Sequence, residues 1–236
     1  MKRVGHKGAH HIAPGNTLAS FDAALEAGVD MIEFDVLAEH RDGSGRLLLA
    51  HDYGDARRPD VIELADGLAH LRSAPYAGIE LDVDLKIVGC EERVLAELRA
   101  QGLLDRTLIS SMELESLRTI RALDPQVRIG LSIPKLRRDL LASRWTRYPT
   151  YLAAAAARRL IPIRAARAIR AGHFDALMCH WALVTPRLAR AVAGAGGELY
   201  VWTVDEGPRI ATLEAMGVAG VISNDPRLFA PQPARV

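Results

Sequence analysis

Eight short apolar, β-favouring runs recur along this chain, at residues 2–6, 31–37, 79–86, 107–111, 128–133, 175–179, 198–204 and 219–223. Between them lie segments of helical period, clearest at 17–27, 91–101, 113–122, 185–195 and 207–216. Apolar residues at three- and four-residue intervals bury one stripe of a helix, whereas a short apolar run buries a strand. A strand, a helix and a second strand in sequence make a parallel pair, because the crossover returns the chain to the same end of the sheet. About eight such units in 236 residues predict a (β/α)8 TIM barrel, with a doubly wound open sheet as the alternative. Gly28, Gly102 and Gly217 fall just past three of the helical patterns, where a left-handed residue closes a helix. One further short run, Arg46-Leu47-Leu48-Leu49-Ala50, stands apart from the alternation. No linker interrupts the pattern, so residues 1–236 are expected to form a single domain.

Composition narrows the function classes. Thirty Lys and Arg against 29 Asp and Glu leave no overall field for nucleic acid. Two cysteines are too few for a disulfide framework, and a reducing compartment is expected. Cys90 reads as a surface or helix-end thiol and Cys179 as a small buried hydrophobe. The start, MKRVGHKGAHH, lacks an apolar stretch of signal-peptide length, and no run of 18 apolar residues exists. A soluble, cytoplasmic protein is the expectation.

Within the second run, Met31-Ile32-Glu33-Phe34-Asp35-Val36-Leu37, Glu33 and Asp35 are two apart and point the same way. In the third, Asp82, Asp84 and Lys86 alternate on one face. Barrel active sites are built at the C-terminal ends of the strands. There this chain places His6, His51-Asp52, Ser110-Ser111, His180-Trp181, Trp202-Thr203 and Asn224-Asp225. Unpaired charges inside apolar strands are costly. Lys7 and Lys86 are too few to neutralise Glu33, Asp35, Asp84 and a fourth candidate, Asp82. A hard divalent cation with oxygen ligands resolves the repulsion. His6 and His51 then suit general acid and base. Metal, two histidines and a lysine fit hydrolysis of a phosphate ester.

Five short motifs stand in order: His6-Lys7-Gly8, Pro14-Gly15-Asn16-Thr17, Glu33-Phe34-Asp35, His51-Asp52 and Asp84-Leu85-Lys86. Further on come Leu108-Ile109-Ser110-Ser111-Met112, Tyr200-Val201-Trp202-Thr203-Val204 and Gly217 to Pro226. Together they resemble the glycerophosphodiester phosphodiesterase family, over nearly the whole chain except about 135–172. The resemblance implies that Glu33, Asp35 and Asp84 hold Mg²⁺ or Ca²⁺, and that His6 and His51 are the acid–base pair. It implies that Lys7 and Lys86 meet the phosphate and that Trp202 lines the alcohol pocket. Asp82, Asp52 and Asn16 are candidates, from their positions in the sequence, for groups that support these residues. The implied products are sn-glycerol 3-phosphate and an alcohol. Three positions depart from the family pattern. Lys7 stands for its usual Arg, which loses the two-pronged geometry on phosphate. Gly15 stands for Glu and Asp84 for Glu.

Residues 135–172 are dense in Arg and Lys, with Asp139 the one acid, and apolar residues recur between the basic ones. A basic amphipathic helical insertion is expected there, suited to contact with an anionic membrane. It raises an alternative, a phospholipase D-like enzyme acting on lyso-phospholipids. A catalytically weakened barrel that binds phosphodiesters or lipids is the third reading.

Overall fold

The computed structural model describes residues 1–134 and 158–229. Strands and helices alternate among the described residues, except where a short third strand directly follows the second. Strand β1 (Lys2–Gly5) leads to α1 (Leu18–Glu26), and β2 (Met31–Ala38) and the short β3 (Leu47–Leu49) lead to α2 (Leu64–Leu71). Next come β4 (Glu80–Leu85), α3 (Glu91–Ala100), β5 (Thr107–Ser111), α4 (Leu114–Leu123) and β6 (Arg128–Ile133). Residues 158–170 are helical and are called α5 here. The series ends with β7 (Ala176–His180), α6 (Pro186–Ala193), β8 (Glu198–Trp202), α7 (Gly207–Ala215) and β9 (Gly220–Ser223). Strands β1, β2, β4, β5, β6, β7, β8 and β9 pair in parallel in that order, and β9 pairs back to β1. The result is a closed eight-stranded barrel, not an open sheet.

Strand periodicity sorts the side chains into two cores. Ile32, Phe34, Leu81, Val83, Ile109, Leu177 and Val201 face outward and are fully or almost fully buried against the helices. Removing a phenylalanine such as Phe34 from this layer costs about 3–5 kcal/mol. The alternate residues fill the barrel. Val4, Met31, Leu108, Ala176, Met178, Tyr200 and Ile222 form a separate interior cluster. Gly220 has no room for a side chain, since a Cβ there falls 2.6 Å from the Tyr200 ring.

The N-terminal end of the barrel is closed by charge. Lys2 lies 2.8 Å from Glu80 and 3.8 Å from Glu198, and Arg128 lies 2.9 and 2.6 Å from the same two acids. These four come from alternate strands, β1, β4, β6 and β8, as one layer of a barrel interior does. Within this layer two cations and two anions neutralise each other. Higher in the barrel the balance is different.

The run 46–50 contributes β3, which pairs antiparallel to the upper end of β2 and adds no barrel strand. Helix α2 was not expected from periodicity; its Gly67 sits where a Cβ would fall 2.6 Å from Leu49. Gly28, Gly102 and Gly217 have φ of 73°, 67° and 75°, as helix-closing residues do. Cys90 is fully buried at the start of α3 and not on the surface, while Cys179 is the buried hydrophobe expected. Of the expected basic insertion, 135–157 lies outside the described residues. Helix α5 precedes β7 and buries Ala165, Ala166 and Ile169.

Candidate active site

Strands β2 and β4 run parallel in a register that sets Glu33 beside Asp82 and Asp35 beside Asp84. Because side chains alternate, this register aims all four carboxylates into the barrel. Glu33, Asp35, Asp82 and Asp84 are all buried. One oxygen from each of Glu33, Asp35 and Asp84 lies within 4.8 Å of the others.

Two lysines partly compensate. Lys86 Nζ lies 2.5 Å from both Asp35 Oδ1 and Asp84 Oδ2, and Lys7 Nζ lies 3.2 Å from Asp35 Oδ2. Asp35 also accepts from Asn16 Nδ2 at 2.9 Å, and its own N–H donates to Asn16 Oδ1 at 3.0 Å. Burial pushes the Asp35 carboxyl up, but Lys86, His51 and Lys7 outweigh it and hold the group well below the usual range. The same acids raise the Lys86 ammonium against the opposing effect of its burial. Glu33 fares worse. It accepts the Lys7 backbone N–H at 2.8 Å, yet burial, and then the charge of Asp35, push it up to about 8. Burial and Asp35 raise Asp84 despite Lys86. Burial, then Glu33 and Asp84, raise Asp82 well above the ordinary value. Four acids thus face two lysines, and three of the acids resist ionising.

That imbalance is a test of fit for a cation. The donors are carboxylate oxygens only, which suits a hard divalent ion. Among the described residues, the buried Asp84 Oδ1 has no hydrogen-bond partner. Glu33, Asp35 and Asp84 therefore fit such an ion.

The two histidines flank this patch from different directions. His6 follows β1 at the barrel wall, with Nε2 3.8 Å from Glu33 Oε2. The loop after it turns through Lys7 (φ 52°) and Gly8 (φ 82°), and a Cβ on Gly8 would fall 2.5 Å from the Ser20 backbone. His6 Nδ1 lies 2.6 Å from Asn224 Oδ1. Burial above all lowers the His6 imidazole to about 4, against the opposing pull of Asp35 and the Asn224 bond. His51 comes from the loop after β3, so the antiparallel hairpin and not a barrel strand delivers it. Its Nδ1 lies 3.2 Å from Asp35 Oδ2, and half of its side chain is exposed.

The other expected residues are placed less evenly. Asn16 clamps Asp35 as described. Asp82 lies beside Glu33 in the barrel interior. The Asp52 carboxylate turns instead to its own loop, accepting the N–H groups of Gly54 and Asp55 at 2.7 and 3.0 Å. Trp202 stands edge-on to His180, with ring centres 5.2 Å apart, and its buried Nε1 has no partner among the described residues. Beside them, the Arg209 guanidinium covers the Trp181 ring at 3.7 Å. At Gly15, a Cβ would fall 2.7 Å from His10 Nδ1 and 2.8 Å from Lys7 Cβ, so the loop as folded leaves no room for a side chain there. Asp205, just past β8, was missed. It accepts from Asn224 and Ser223, and these bonds outweigh its partial burial and hold it below the usual carboxylate range. Its position in the run after Trp202 was the available signal.

A closed parallel barrel with buried acids, lysines and two histidines at its C-terminal mouth offers groups suited to a phosphate ester. Comparison with known proteins agrees. The model of the glycerophosphoryl diester phosphodiesterase family matches residues 6–58 and 74–228, and the chain belongs to that family. It is 24% identical to the glycerophosphodiester phosphodiesterase of Caldanaerobacter subterraneus subsp. tengcongensis, over 94% of this chain and 93% of the relative. In fold it resembles the glycerophosphodiester phosphodiesterase of Agrobacterium tumefaciens str. C58, with a TM-score of 0.68, 22% identity and coverage of 97% and 98%. A phosphodiesterase of Oleispira antarctica, solved with its product sn-glycerol-3-phosphate, superimposes with a TM-score of 0.66 at 19% identity, covering 96% of this chain and 94% of that one. The chain is thus a phosphodiester hydrolase of glycerophosphodiesters. No helix among the described residues is long and apolar enough to cross a membrane.

Proposed function

We propose that this protein hydrolyses glycerophosphodiesters to sn-glycerol 3-phosphate and an alcohol, with a divalent cation and two histidines. The observation that carries the reading is the buried trio Glu33, Asp35 and Asp84, whose oxygens converge while, among the described residues, two lysines oppose their charge. The family membership and the product held by the Oleispira relative support the substrate class. Glu33, Asp35 and Asp84 would hold Mg²⁺ or Ca²⁺, which when bound draws charge from a phosphoryl oxygen. Lys7 and Lys86 offset the charge that develops on the phosphoryl group. His6, neutral near pH 7, takes at Nε2 the proton of the attacking hydroxyl, that of water or of the glycerol 2-position, and in the second case water then opens the cyclic phosphate so formed. His51 keeps Nδ1 toward Asp35 and gives a proton from Nε2 to the leaving alcohol oxygen. That division assigns one histidine to each side of an in-line displacement. Trp202 and His180 form an aromatic wall for the alcohol. Turnover of glycerophosphocholine, followed by enzymatic detection of glycerol 3-phosphate, tests the reading; H6A and H51A that retain full turnover would refute it.

One observation favours a second reading, action on lyso-phospholipids at an anionic membrane. Leu160 and Ile163 are 48% and 59% exposed on α5. Arg159, Arg164, Arg167 and Arg170 share that exposed side. Residues 158–193 hold seven arginines and one acid, Asp175. Arg158 donates to the Ala182 carbonyl at 2.9 Å, which ties this helix to the loop after β7. Release of choline from lysophosphatidylcholine in anionic vesicles, with none from glycerophosphocholine, would favour this reading over the first.

A further inference from the structure

His6, Asp205 and Asn224 follow β1, β8 and β9, three strands that are neighbours in the closed barrel. Asp205 Oδ1 accepts the Asn224 backbone N–H at 2.8 Å and the Ser223 hydroxyl at 3.0 Å. Asp205 Oδ2 accepts the Asn224 side-chain Nδ2–H at 2.7 Å. An ionised carboxylate only accepts, so the Asn224 group facing it has to be the NH₂. The amide oxygen is thereby turned the other way, 2.6 Å from His6 Nδ1. That oxygen carries no hydrogen, so the bond forms only when Nδ1 does. Neutral His6 then holds its proton on Nδ1 and a bare lone pair on Nε2, the nitrogen on the side of Glu33.

We propose that Asp205 is a positioning residue that sets the tautomer of His6 through Asn224, so that Nε2 is free to take the proton of the attacking hydroxyl. This inference rests on the role proposed above for His6. Flipping Asn224 would set its oxygen against the Asp205 carboxylate and its NH₂ against His6 Nδ1. The first contact is repulsive, and the second forces the His6 proton onto Nε2. The backbone and Ser223 bonds to Oδ1 hold the carboxylate in place for both of its tasks.

The test is a two-variant cycle. In D205N the new NH₂ faces that of Asn224, Asn224 flips, and Nε2 takes the proton. With glycerophosphocholine, kcat is expected to fall roughly 10²-fold or more, the scale of general base catalysis, with KM within about threefold. In the double variant D205N/N224D the amide now at position 205 donates its NH₂ to the carboxylate now at position 224, which again accepts from His6 Nδ1. This variant is expected to recover kcat to within about tenfold of the parent. ¹⁵N chemical shifts of the His6 ring in the labelled proteins read the tautomer directly. A protonated Nδ1 is expected in the parent and the double variant, and a protonated Nε2 in D205N. Wild-type kcat in D205N, a double variant no better than the single one, or unchanged His6 shifts in D205N would overturn the proposal. If the parent itself fails to turn over glycerophosphocholine, the functional reading fails, while the ¹⁵N shifts still decide the relay.

Discussion

Replacing Glu33 by Gln should stabilise the protein when no metal is present and cost it metal binding. In the folded state Glu33 titrates at about 8, against an ordinary value of 4.5, chiefly because it is buried and then because Asp35 lies near. The raised group stabilises the fold fully below about pH 4.5, where both states are protonated. That contribution is lost as pH rises through about 8, because the unfolded chain has already released its proton while the folded one must hold it or bury a charge. At 1.36 kcal/mol per unit, the shift sets a ceiling of roughly 5 kcal/mol lost by about pH 9. The neutral glutamine avoids that loss and still offers an oxygen to the Lys7 N–H. It must bury an amide NH₂ without a clear acceptor, at a cost of about 1–3 kcal/mol. The net gain is on the order of 2 kcal/mol at about pH 8.5, equivalent to roughly 4–8 °C in Tm for a chain of this size. Thermal melts in EDTA at about pH 5 and about pH 8.5 measure it. E33Q should gain at the higher pH only, and adding Mg²⁺ or Ca²⁺ should raise the Tm of the parent but not of E33Q. Equal melts at both values, with the metal-induced rise retained in E33Q, would refute the argument that the acids repel one another around a cation site.

Lys86→Met should destabilise the metal-free protein by about 3–5 kcal/mol, since it strands Asp35 and Asp84; divalent metal should restore much of the loss, and a melt that metal does not move would count against a shared site. His6→Ala or His51→Ala should lower kcat roughly 10²–10⁴-fold while circular dichroism stays unchanged. Asn16→Ala removes two hydrogen bonds to Asp35 from a buried residue, so a Tm decrease equivalent to about 1–3 kcal/mol is expected; a neutral effect would show that Asp35 is held by the lysines alone. Replacing Arg159, Arg164 and Arg167 by Glu should abolish cosedimentation with phosphatidylglycerol vesicles while leaving glycerophosphocholine turnover unchanged; undiminished cosedimentation would remove the membrane reading.

The barrel was legible because its strands and helices obey two different periods, and because each βα unit is short enough to leave no other crossover. Glu33, Asp35 and Asp84 were legible for a related reason: charge inside an apolar strand needs a cause. What escaped depends on contacts between distant segments. Helix α2 carries a central Gly67 that weakens its helical signal, and the residue is needed for close packing on Leu49. His51 was expected at a barrel strand end, whereas β3 is an antiparallel addition to β2, and periodicity says nothing of strand direction. Asp52 looked like part of the site because it adjoins His51, but its carboxylate is spent on the turn that follows. Asp205 and Asn224 lie 19 residues apart, and only closure of β9 onto β1 brings their bond to bear on His6.

The central claim is that a divalent cation between Glu33, Asp35 and Asp84 makes this barrel a glycerophosphodiester hydrolase. The most direct measurement is release of glycerol 3-phosphate from glycerophosphocholine by the wild-type protein in EDTA, in Mg²⁺ and in Ca²⁺. Turnover with at least one of the metals and none in EDTA is the predicted result. Equal turnover in EDTA, or no turnover under any of the three conditions, would contradict it.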